Sequence, residues 1–164
     1  MSQNVNKIRV SRYYERLLYH LNAFSKHMEM GDVIQAAEKV WGAVSAFVNI
    51  YSLTYYNREF KKDSNKVNKL TEFIELVLNQ DPEVQIIISS FSKGHAETFA
   101  KSLNNLHSFF YGGSAISIDD VKRYLNTAKA FLPLIKEYAK AIYDYVSSPN
   151  KYTASKKNVI NKYA

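Results

Sequence analysis

The 164-residue chain contains no cysteine, only 5 glycines and 3 prolines, and a single tryptophan. Without cysteine there is no disulfide framework, no thiolate nucleophile and no cysteine-based zinc site, a composition that suits a reducing compartment. With so few glycines and prolines there are few places for strands to turn, and long helices are favoured. The longest stretch free of charged residues, Val40 to Asn57, is interrupted by Gly42, Ser45, Asn49, Ser52 and Thr54, so it reads as one face of a helix in water and not as a membrane span. The first twenty residues hold Lys7, Arg9, Arg12 and Arg16 without an apolar run, and no secretory signal is expected there. A cytoplasmic protein without a membrane segment is the expectation.

What the chain does have is charge and periodicity. The net charge is +7, but Lys151, Lys156, Lys157 and Lys162 lie in the last fourteen residues with no acid among them, leaving about +3 on the rest. That is modest for a dedicated nucleic-acid binder. Ser147-Ser148-Pro149-Asn150 stops a helix, which divides the chain into a helical bundle domain, residues 1–148, and a basic, flexible tail, residues 149–164. The length fits one core.

Apolar residues recur at steps of three and four along nearly the whole of residues 1–148. Val10, Tyr14, Leu17, Leu21, Phe24 and Met28 mark a first helix over about 6–30, ended by Gly31. Asp32 with Gln35 forms a capping box for a second, whose stripe Val33, Ala37, Val40, Val44, Phe47, Tyr51, Tyr55 is widened by Trp41 and Val48, as expected of a central helix. A polar connector spans 58–65, and a shorter helix about 65–79. Asp81-Pro82-Glu83 begins another helix, running toward Gly112, with Gly94 as a possible break. Ser117-Ile-Asp-Asp120 caps the last, whose phase continues across Pro133 and predicts one kinked helix. The expected fold is all-α, an up-and-down bundle of about five helices.

The chain has no phosphate-binding glycine loop, no dinucleotide fingerprint, no His-Glu-x-x-His and no calcium loop. A di-iron site needs glutamate three residues before histidine. The residues preceding His20, His27, His95 and His107 by three are Leu17, Phe24, Ser92 and Asn104, so neither a metal nor another cofactor is expected. His95 falls in phase with Phe91 and Phe99, which predicts a core or interface histidine; His20 and His27 lie near the first helix's apolar stripe without an evident partner. His107 sits at the edge of an apolar face, where an imidazole stays reachable. Small residues Ala36, Ala37, Gly42 and Ala43 around Trp41 predict close helix packing, and the indole N–H needs a partner if buried.

Two segments carry a resemblance: Gly31 to Val44, with its Ala-Ala-Glu-Lys-Val-Trp-Gly-Ala core, and Leu106-His107-Ser-Phe-Phe-Tyr111. Together they resemble the PaREP-type archaeal paralogous family, related to the HEPN superfamily of helical domains, over roughly residues 12–146. The resemblance implies a HEPN-like helical bundle, commonly a homodimer. Catalytic HEPN members resemble metal-independent ribonucleases, in which an arginine shortly before a histidine steadies the phosphate while the histidine handles the 2′-hydroxyl proton. Here the histidine is His107, but only Lys101 stands near the arginine's place, and Phe109 and Gly112 replace the usual asparagine and glutamate. Lysine lacks the guanidinium's two-pronged grip, and Lys101 and His107 lie about 120° apart around a helix.

Basic stripes offer a second candidate site. Arg9, Arg12 and Arg16 share one face of the first helix, and Lys122 and Lys129, continued by Lys136 and Lys140, share a face of the last, with Tyr13, Tyr19 and Tyr138 nearby. Such faces grip phosphates and stack bases. The favoured expectation is a non-catalytic interaction module binding RNA, a nucleotide or a protein partner. The alternatives are a ribonuclease using His107 with Lys101, and a structural assembly subunit suggested by 13 tyrosines.

Overall fold

The computed structural model describes residues 3–112 and 116–148, with side chains from Asn6 onward; the predicted basic tail lies outside the described residues. Six helices make up the described chain: α1 Gln3–Glu29, α2 Val33–Tyr56, α3 Asp63–Leu78, α4 Pro82–Ser92, α5 Ala96–Phe110 and α6 Ile118–Ser147. Among the described residues there is no strand, and no helix is long and apolar enough to cross a membrane. The expected count of about five becomes six at Gly94. Lys93 and Gly94 both take left-handed backbone, φ 55 and 86, which ends α4 and restarts the chain at His95, the residue capping α5. The change of direction also removes His95 from the apolar stripe. It is exposed, not the core or interface histidine its phase suggested.

Local signals set most helix ends. The Asp32 carboxylate accepts from the Gln35 amide at 3.1 Å, Asp81 from Glu83 and Val84 at 3.1 and 3.4 Å, and Ser117 from Asp120 at 3.1 Å. Each satisfies amides that the first helical turn leaves free. α6 continues unbroken through Pro133, whose ring lies on the exposed side. The α3 start differs from expectation by two residues, because Asp63 becomes its first residue.

α2 is the centre of the bundle, packing against α1, α3, α5 and α6. A three-residue turn returns α2 antiparallel along α1, so Asn6 meets Asn57 at one end and His27 faces Asp32 at the other. Between them the His20 ring lies against Gly42, where an added Cβ would stand 2.7 Å from ring atoms. The small residue in the Trp-Gly-Ala run therefore admits an imidazole, and burial pushes that imidazole's pKa down. Gly42→Ala is expected to destabilise by about 1–3 kcal/mol through this clash. In a His20→Ala background the same change should cost much less, a coupling that denaturant melts of the four proteins in the cycle would measure.

The core is aromatic as well as aliphatic. Phe73 of α3 packs edge-on against Phe47 and Tyr51 of α2 and Tyr138 of α6, and Phe99 links Phe91 to Phe131. Polar ends of these rings are paired. Tyr138 donates to the buried Asp81 carboxylate at 2.7 Å, tying α6 to the cap of α4. Tyr51 and Tyr56 donate to Glu72. Burial pushes the Glu72 carboxyl up, but donors from Tyr56, Lys69 and Tyr51 more than offset this and hold it below the usual range. The connector between α2 and α3 is pinned by the Asn49 side chain, which accepts from the Phe60 amide at 2.8 Å and donates to its carbonyl at 3.2 Å.

Candidate functional site

That pinned connector forms one wall of a cleft whose other wall is α1. Positions 9, 12, 13 and 16 fall on one helical face over two turns, so Arg9, Arg12, Tyr13 and Arg16 point together, and Glu59 from the connector closes the set. The cleft holds about 230 Å³. Arg9 lies 3.9 Å from the Glu59 carboxylate, and the Arg16 guanidinium sits over the Tyr13 ring, 5.0 Å from its centre. Arg12, exposed, has neither an ion pair nor a ring contact among the described residues. Tyr13 keeps its proton well past neutrality: burial raises its pKa first, and the charge and hydrogen bonding of Glu59 add to it. Three permanent cations around one carboxylate and one phenol make an anion-binding arrangement.

A second cluster joins the two resembling segments. Trp41 on α2 donates its ring N–H to one oxygen of Asp63 at 3.1 Å, and the other oxygen faces His107 Nε2 on α5 at 3.7 Å. Asp63 at the first position of α3 also suits the positive end of that helix. Tyr111 packs edge-on against the His107 ring, 5.0 Å between centres. The Lys66 ammonium is half-buried nearby; burial lowers its pKa, and only the Asp63 charge works against this. His107 retains partial access, its side chain 29% exposed. Asp63 was assigned to the connector from sequence, and the signal that points to it is the unmet demand of a buried indole N–H.

The remaining predicted residues fall elsewhere. Lys101 is exposed and paired with Glu97, one turn back on α5, at 2.7 Å; it lies outside the His107 cluster. The expected lysine face of α6 is divided between two shallow grooves against α1. Lys122 lines one with His27, Met28 and Leu125; Lys129 and Lys136 line another with Leu21, Phe24 and Leu132. Lys140 is paired with Asp144 at 2.7 Å. Tyr138, grouped with the exposed aromatics from sequence, is 1% exposed and belongs to the core. Among the described residues no three His, Asp or Glu side chains gather as a metal ion would require.

No curated protein and no solved structure matches the chain. One family model does, that of the archaeal PaREP1/PaREP8 family, over residues 12–132. The match runs from Arg12 on α1, leaving Arg9 outside it, through α2, Asp63 and His107 to the middle of α6, well over half of the chain. The chain belongs to the archaeal PaREP1/PaREP8 family.

Proposed function

We propose that the protein is a non-catalytic, HEPN-like helical interaction module that binds RNA or a nucleotide through the arginine face of α1, acting as a cytoplasmic homodimer whose basic tail adds electrostatic attraction. The observation that carries this reading is the convergence of Arg9, Arg12 and Arg16 with Tyr13 on one cleft containing a single carboxylate. Guanidinium groups grip phosphate oxygens in pairs, and a partly exposed phenol beside them offers a stacking surface for a base. The Trp41–Asp63–His107 cluster is read as the tie between α2, α3 and α5. Of the tyrosines behind the assembly reading, Tyr51 and Tyr138 are used inside the core, while Tyr19, Tyr56 and Tyr111 are exposed.

The ribonuclease alternative keeps one specific support, the carboxylate of Asp63 beside His107, an arrangement that can orient an imidazole for proton transfer. Against it, Lys101 is engaged with Glu97. Both readings meet in one experiment: labelled single-stranded RNA with pure protein, free of metal, at low and high salt, beside His107→Ala. The expected result is retardation at low salt that fades at high salt, no cleavage, and equal behaviour of the variant. Cleavage abolished in His107→Ala would establish the alternative. Absence of retardation at low salt would overturn both.

A further inference from the structure

The charge balance of the arginine cleft narrows the ligand, an inference that rests on the proposed phosphate-binding role. The three guanidiniums of Arg9, Arg12 and Arg16 each carry one positive charge. Glu59 is the one carboxylate lining the cleft, so its walls carry three positive charges against one negative, +2 in all. An internal phosphodiester bears one negative charge. A phosphate monoester, the group at the end of a strand or on a free mononucleotide, bears nearly two at neutral pH because its second ionisation lies near 6. The dianion matches the cleft; the diester leaves part of the positive charge uncompensated.

Size and the placement of Glu59 point the same way. The cleft, about 230 Å³, is small and open on one side, on the scale of one phosphate and its sugar. Glu59 stands beside Arg9 at 3.9 Å, at the connector wall of the cleft. Its carboxylate repels a second phosphate running on in that direction, and it accepts a hydrogen bond from a sugar hydroxyl placed there instead. Arg12 is the cation held by neither Glu59 nor Tyr13, so it is free to close on a ligand without breaking an existing contact.

We infer that the cleft formed by Arg9, Arg12, Tyr13, Arg16 and Glu59 is a site for a terminal phosphate monoester attached to ribose, either the phosphorylated end of an RNA strand or a free mononucleotide. The probes are one fluorescein-labelled RNA decamer with a 5′-phosphate, the same strand with a 5′-hydroxyl, and unlabelled adenosine 5′-monophosphate as competitor, read by anisotropy at neutral pH. The expected result is at least a tenfold preference for the phosphorylated strand, competition by the mononucleotide, and loss of the preference in Arg12→Ala, whose thermal midpoint should match the parent. A preference without competition by the mononucleotide assigns the site to RNA ends. Equal binding of the two strands overturns the inference and leaves the general RNA-binding role standing, whereas binding of neither overturns both. A preference that survives in Arg12→Ala overturns the placement in this cleft.

Discussion

Replacing Arg9, Arg12 and Arg16 together by alanine is expected to reduce RNA affinity on the order of a hundredfold at low salt and to flatten the slope of log affinity against log salt by about 0.7. Each phosphate of a single strand that is neutralised contributes a slope of about 0.7, and the three arginines converge on a cleft with room for one. Raising salt from about 50 to about 200 mM should therefore cost the parent protein about threefold through this contact, and the triple variant correspondingly less. The fold should survive, since Arg12 and Arg16 are exposed and the Arg9–Glu59 pair, at 3.9 Å with side chains 39% and 30% exposed, is of a kind worth about 0–1 kcal/mol. The Lys122→Ala/Lys129→Ala protein is the internal comparison. Those lysines lie in two other grooves, so their removal should leave most of the affinity and slope intact. A triple arginine variant that binds with unchanged salt slope would remove the cleft from any role in RNA binding.

Asp81→Ala should be the most damaging single polar substitution for stability, lowering the unfolding free energy by about 2–4 kcal/mol. The carboxylate is 3% exposed and serves two elements at once. One oxygen caps the first turn of α4 through the Glu83 and Val84 amides, an arrangement worth about 1 kcal/mol. The other accepts from Tyr138 at 2.7 Å, and its removal leaves a buried hydroxyl unsatisfied at about 1–3 kcal/mol. For a chain of this size each kcal/mol moves the thermal midpoint by about 2–4 °C, so calorimetry should show a drop near 10 °C. Asp81→Asn keeps one oxygen to cap α4 but sets an NH2 donor where the Tyr138 hydroxyl donates, so it should recover only the capping part of the loss, about 1 kcal/mol. Tyr138→Phe should fall between, because it leaves the carboxylate buried with one donor fewer. An alanine variant within 1 kcal/mol of the parent would show that neither contact contributes as described.

Helices α1, α2 and α6 were legible because their determinants are local. The three-four alternation of Val10 to Met28, the Asp32 and Ser117 caps, and the unbroken phase across Pro133 all act within a turn or two. The arginine face was legible for the same reason, since positions three, four and seven apart share one side of a helix. Gly94 was legible as a break, but the phase around it misled for His95: Phe91, His95 and Phe99 share an apparent stripe, which two left-handed residues interrupt, and His95 is exposed. Phe91 and Phe99 still meet edge-on across the break, a contact between two helices that periodicity within one helix does not encode.

The candidate sites divide along the same line. Sequence by itself determined that the protein is all-helical, that Arg9, Arg12 and Arg16 would stand together, that Trp41 would need a partner and that the chain resembles the PaREP family. Tertiary structure decided what each of them meets: Glu59 for the arginines, Asp63 for both Trp41 and His107, His20 for Gly42, Asp81 for Tyr138. The physical reason is range. A helix and its cap arise from hydrogen bonds closed over three or four residues, whereas these partners lie 22 to 57 residues apart in the chain, at separations of 22 for Trp41 and Asp63 and 57 for Tyr138 and Asp81. They come together only where the packed faces of α1 to α6 bring them.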